Sequence, residues 1–397
     1  MLQATQRLQN AVCFLALVAA PLSAQTVGGP IVKEGAYFTQ VFQGEVAGRP
    51  RLRISALGEI TVRGADTQTV AYRILLKVRA SNEQEAAQYL QQAQAGASSS
   101  ADTTTLGIAE VNCGRCGLRA EIEMTVPQTI ADAVIVTRGG ALDVSGIRGR
   151  VNADSAGGTI TFDRIGGDVL VTTGGGNIDL GAIGKNVRCE TAGGSIELDS
   201  SGGDAVLNSA GGGIRVGHVR GRLQAETVGG NIEAEFVGGR VAAATSGGSI
   251  LLGEAGGEVT VDTAGGAIRV ERAPAGIHAE TASGDIQLND VAGRVYALSA
   301  AGNVQAYFIS DRQMMDSLIE TNAGSIVLFL PADMRVTVEA MVDFARNLQR
   351  IESEFPDIQV TRGDSFGGVQ AAGQLNGGGP VLRVRNTSGR IYIRRRE

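Results

Sequence analysis

Between Gly139 and Ile309 the chain repeats with a fixed step, and that step leaves few folds open. Leu142, Ile160, Ile178, Ile196, Ile214, Ile232, Ile250, Ile268, Ile286 and Val304 stand 18 residues apart. A second apolar series runs midway between them, from Val151 through Val187, Leu223 and Val259 to Val295. The unit therefore reads apolar-x-apolar-x-x-small-Gly-Gly-x. One such unit cannot bury its apolar side alone and must stack on the next. Within it, Ile196 and Leu198 alternate with Glu197 and Asp199, the period of a strand with one wet face. The Gly-Gly pairs (Gly157-Gly158, Gly193-Gly194, Gly229-Gly230, Gly265-Gly266) fall at the corners, where a positive φ is expected. The pattern predicts an all-β chain: a parallel β-solenoid of 18-residue coils, two strands per coil, with right-handed winding expected.

Composition then narrows the function. Glycine, at 57 of 397 residues, is far above average but periodic, which marks a repeat and not a disordered tract. The formal net charge of −6 gives no electrostatic case for nucleic acid or an anionic membrane. Tryptophan is absent and aromatics make up 4%, which argues against stacking platforms for bases or sugars.

Residues 1–24 read as a secretory signal: Arg7, a short apolar core over Ala11 to Ala20, and a cut before Gln25. Cys13 lies inside that core, which argues against a lipoprotein anchor. No later run approaches the roughly 18 apolar residues of a membrane span. Residues 25–130 read as a small, mostly β capping module. Strands are expected over Tyr37–Val46, Arg51–Ile54, Glu59–Val62 and Val70–Val78, and again near Thr104–Val111 and Leu118–Val126. Ser81-Asn82-Glu83-Gln84 opens one helix, which runs to about Ala95, and Gly96 to Asp102 reads as a polar loop. Residues 131–330 are the solenoid, interrupted by a polar insertion over Ser310 to Glu320. Residues 331–397 read as a last rung with an inserted hairpin that caps the far end.

These features resemble the bacterial putative-adhesin β-solenoid family, a secreted domain of unknown molecular activity. The likeness rests on Leu57-Gly58-Glu59-Ile60-Thr61-Val62, the run of Gly-Gly-x-Ile-x-Val coils, Ile351-Glu352-Ser353-Glu354-Phe355-Pro356 and Leu375-Asn376-Gly377-Gly378-Gly379-Pro380. The resemblance implies a binding scaffold at the surface or in the periplasm, and it supplies no catalytic residues.

Several constellations bear on chemistry. Asp179, Glu197, Arg215 and Glu233 share one outward column with Asp199 and Glu235 beside it, a candidate interaction surface. At rung spacing such carboxylates could serve glycoside hydrolysis or hold a hard cation. Nothing in the sequence marks one of them for a raised pKa, so they read as solvated charge. The calcium-binding nonapeptide needs a third Gly where these units have Ile or Val. Ser155, Thr173, Thr191, Ser209 and their successors to Ser299 recur five residues before each Ile, and a corner hydroxyl there can bond backbone. His278 has Glu280 two residues on and Asp262 one rung away, and reads as part of a solvated face. The spacing of Cys113 and Cys116 lacks the partners of a zinc site or the helix of a thioredoxin-like motif, which leaves a small disulfide. Cys189 points inward as a free thiol. The glycine runs precede strands, not helices, so they are not phosphate loops.

The sequence therefore points to a non-enzymatic, exported, adhesin-like interaction scaffold, without cofactor or metal, meeting a protein or glycan of the envelope. The competing reading is a β-helix enzyme acting on polysaccharide through the surface carboxylates.

Overall fold

The computed structural model describes residues 27–109, 111, 117–310, 314–344, 348–362 and 368–396. The leader expected over 1–24 and the pairing expected of Cys113 with Cys116 lie outside them. The described residues form a parallel β-solenoid whose two sheets hold 19 and 18 strands. Each coil gives one strand to each sheet, as with Ile232–Val237 in the first and Val241–Thr245 in the second. Ile232 pairs in register with Ile214 and Ile250, and Val241 with Leu223 and Val259. The 18-residue step of the sequence is thus the hydrogen-bond register of both sheets. No helix among the described residues is long and apolar enough to cross a membrane.

The interior is wider than two residues per strand. First-sheet strands bend after their fourth residue and turn a further side chain inward, so Ile183, Val219, Val237 and Ala255 are buried beside the main Ile and Leu columns. Cys189 sits between Val171 and Leu207, fully buried, and burial pushes its thiol pKa upward. An unreactive free thiol follows from that desolvation.

The glycine corners correct the expectation of positive φ. Of the four pairs named above, only Gly158 has it, at φ 101°. The other second glycines are required because backbones nearly touch: a Cβ on Gly266 would lie 1.9 Å from the Gly248 carbonyl oxygen. The corner hydroxyls lock this approach from within. Thr263 Oγ1 donates to the Gly248 carbonyl at 2.8 Å and accepts from the Gly266 N–H at 3.2 Å. Thr191, Ser209, Thr227, Thr245, Thr281 and Ser299 make the same two bonds in their own coils. Each hydroxyl satisfies one donor and one acceptor that tight stacking would otherwise bury unpaired.

Both ends depart from chain order. Arg51–Ala56 and Gly58–Ala65 form a coil stacked on Asp132–Thr137 and Leu142–Ser145. Thr103–Gly107 and Arg119–Pro127, which come later in the chain, form the coil outside it. Antiparallel strands then close the edge: Thr69–Val78 on Arg119–Pro127, Tyr37–Ala47 on Thr69–Val78, and Gly96–Ser99 on Thr103–Gly107. The segment expected as a polar loop from Gly96 thus begins with a strand, because it supplies the edge that Thr103–Gly107 needs. The helix, Glu83–Gln92, starts one residue later than the capping box as read. Asn82 Oδ1 accepts from Glu85 N–H at 2.9 Å, and the Glu85 carboxylate accepts from Ser81 N–H at 2.7 Å.

The far end repeats the device. Ser317–Thr321 already belongs to a coil, so the insertion is shorter than the expected span to Glu320. Val381–Asn386 lies between Ser317–Thr321 and Val336–Val342, and Ile391–Arg396 between Ile326–Pro331 and Ile351–Ser353. The last strands in sequence therefore form the second-outermost rung. Gln359–Arg362 and Val369–Leu375 pair antiparallel outside them.

Candidate functional site

Stacked coils turn outward residues into straight columns, one residue per rung at about 4.8 Å. On the first sheet, Asp179, Glu197, Arg215 and Glu233 follow one another in register. The charge does not alternate evenly along that column. Arg215 pairs with Glu233 at 3.2 Å, while Glu197 faces Asp179. Burial raises the Asp179 pKa, and the neighbouring Glu197 charge adds to it. One carboxylate is therefore marked after all, by a half-buried position that local sequence does not reveal. Asp199 and Glu235 are exposed beside the column, at the bend.

The larger concavity lies elsewhere, at the corner after each second-sheet strand. An open groove of about 1170 Å³ runs from Thr172 to Asn322. Its outer wall is the residue before each corner hydroxyl: Thr172, Glu190, Asn208, Glu226, Ala244, Asp262, Glu280, Leu298 and Glu320. Nine rungs at this spacing span roughly 38 Å. The opposite wall is low, mostly Ala, with Ser246 and an exposed Val228. The floor is the column of corner hydroxyls, whose bonds already go to backbone. Among the described residues no Lys or Arg lines the groove, so its five carboxylates give it one sign.

Three of those carboxylates have a side-chain partner two residues back on the same strand, and only Arg188 is a permanent cation. Arg188 pairs with Glu190 at 2.6 Å, and Gln224 donates to Glu226 at 2.9 Å. The side-chain oxygen of Asn208, between them, is buried without a hydrogen-bond partner among the described residues. Further along, His278 Nε2 lies 2.8 Å from Glu280 Oε1, and its ring stacks on Tyr296 with centroids 4.5 Å apart. Donor atoms of Asp262, His278 and Glu280 all fall within 4.8 Å of one another. The pairing of His278 with carboxylates is legible in the sequence. The groove is not, although its acidic column could be read from the same 18-residue register one position before each corner hydroxyl.

Aromatic side chains do cluster near the C-terminus, which composition gave no reason to expect. Tyr307 and Phe329 stack at 4.2 Å with planes 2° apart, Arg396 lies over Tyr307, and Arg394 lies over Tyr392. Arg394 also pairs with Glu352 and Glu354, and Arg396 with Asp290. The rings stack on one another and on the guanidinium groups, and with Val327 and Glu354 they line a second open concavity of about 800 Å³.

The chain is similar to the crystal structure of a putative adhesin from Bacteroides fragilis, at 14% identity over 75% of this chain and 98% of that one, with a TM-score of 0.23. It is also similar to that of a putative cell adhesion protein from Clostridium sporogenes, at 8% identity over 89% of this chain and 99% of that one, with a TM-score of 0.18. No family model and no curated protein matches the chain. The β-solenoid itself rests on the strand pairing described above.

Proposed function

We propose that the protein is an exported, non-enzymatic interaction scaffold, adhesin-like in the sense its sequence resemblance implies, with the second-sheet groove as its principal contact face. One observation carries the reading: a single unbroken groove of one charge sign extends over nine rungs of a rigid stack. Such a shape fits an extended segment of protein or glycan better than a small substrate, and its sign selects a partner bearing cationic groups. The first-sheet column of Asp179, Glu197, Asp199, Arg215, Glu233 and Glu235 is a second, flatter surface for the same partner class. Residues 25–130 and 331–397 act in this reading as end caps, and residues 1–24 as the export signal.

A pull-down from native cell envelope tests it. Retention should fall with added salt, and should be lost when Glu190, Glu226 and Glu320 are together changed to Gln. Retention unaffected by that triple change would remove the groove from the account. The competing enzymatic reading is tested on purified polysaccharides: turnover abolished by Glu197→Gln would replace the scaffold with a hydrolase.

A further inference from the structure

Along the outer wall of the groove, acidic residues alternate with neutral ones at every rung but one. Glu190 and Glu226 are each followed by an uncharged neighbour, Asn208 and Ala244. Only Asp262 and Glu280 stand on adjacent rungs, paired directly across Val259–Thr263 and Ile277–Thr281. There the two like charges meet with no arginine to separate them. Asp262 is half-buried and has no hydrogen bond or ion pair among the described residues. His278 occupies the next outward position, and its stack on Tyr296 limits how the ring can turn. One ring nitrogen and one oxygen from each carboxylate already converge within 4.8 Å.

We propose that Asp262, His278 and Glu280 form a three-donor site for a divalent transition ion of the zinc class, with its remaining coordination positions open to the groove. An imidazole with only two carboxylates suits zinc, nickel or copper, whereas calcium asks for six or more oxygens. Bonds of about 2.0–2.2 Å at tetrahedral angles set donors roughly 3.3–3.6 Å apart, so donors now up to 4.8 Å apart must close by about 1.2–1.5 Å. Half-exposed side chains on neighbouring strands can do so without moving backbone. A cation here also relieves the repulsion that stacking Asp262 on Glu280 creates, which no protein group in that rung pair fully offsets. The three donors leave room for a ligand from a bound partner, so the ion would make one point of the groove specific where the rest is only charged.

The inference does not depend on the partner, and its test needs none. Zinc is titrated calorimetrically into the purified chain and checked by competition with a chromophoric chelator. Wild type is compared with Asp262→Asn, His278→Ala and Glu226→Gln, the last removing charge from the same wall away from the site. One equivalent of zinc should be lost, or weakened roughly tenfold or more, in the first two variants and kept in the third. Any zinc held by the cysteines appears as an equivalent that survives His278→Ala. Unchanged stoichiometry and affinity in His278→Ala would overturn the site, as would no binding at millimolar zinc. Calcium binding in place of zinc would overturn the assignment of the ion. Each variant's thermal melt is recorded, and His278→Gln, which keeps a planar polar group over Tyr296, replaces His278→Ala if that variant unfolds.

Discussion

Ile250 and Leu251 are neighbours with opposite fates: the first is 1% exposed between Ile232 and Ile268, the second 43% exposed. Ile250→Asp would bury an unpaired charge in a continuous apolar column and cost several kcal/mol, whereas Leu251→Asp should be close to neutral. Because stability in such an array is close to a sum over neighbouring coils, the damage stays local. Limited proteolysis should cut within about one coil of position 250 in the first variant only. Equal behaviour of the two variants would contradict the register. Asp179 shows the residue scale at its least readable. Its pKa is raised in the folded chain by burial and then by Glu197. The native state thus holds that proton more tightly than the unfolded chain. The associated stability is present below the ordinary Asp range and lost as pH rises through the raised value. Asp179→Asn should therefore melt roughly 1–2 °C above wild type at neutral pH, with the gap closing near about pH 3. A lower melting temperature at neutral pH would show that the charge is stabilised by something else.

At the scale of the coil, the two glycines at the corner after a second-sheet strand do different work, whereas at the opposite corner both are closely approached, as Gly238 and Gly239 are at 2.5 and 2.7 Å. A Cβ on Gly266 would meet the Gly248 carbonyl at 1.9 Å, whereas on Gly265 the nearest atom is 3.5 Å away. Gly266→Ala should push two coils apart, break the bonds of Thr263 on both sides and cost about 3 kcal/mol or more. Gly265→Ala should shift stability by less than about 1 kcal/mol, in either direction. Denaturant melts of the two variants measure the difference, and similar costs would mean that the corner can relax. At this corner a motif written as Gly-Gly thus hides one steric requirement and one preference. The sequence shows both letters alike because the contact that separates them is made with a residue 18 positions earlier.

At the scale of the molecule, the unusual feature is that both ends fold back inside themselves. The strands Val381–Asn386 and Ile391–Arg396 sit beneath an outer rung that precedes them in the chain. A chain ended before Val381 should lose hydrogen-bond protection over 336–353 as well, since that rung would have nothing to stand on. Hydrogen exchange of the shortened chain checks this. Protection retained over 336–342 would mean the outer rung docks independently.

The sequence by itself determined the coil length, the inward and outward positions and the hydroxyl column, because a repeat that stacks in register writes each spatial neighbour at a constant offset. Its reading of the corner glycines was right in place and wrong in cause. Only the tertiary structure decided the third inward column, the swapped order of the end rungs and the groove. Each depends on how the chain bends between strands or on pairings with no constant offset: Ser317–Thr321 meets Val381–Asn386 across a gap that no periodicity announces. The same holds for the convergence of Asp262, His278 and Glu280. Their spacing was visible from the start, but whether one imidazole and two carboxylates reach a common point depends on strand twist and on the Tyr296 ring beneath the histidine.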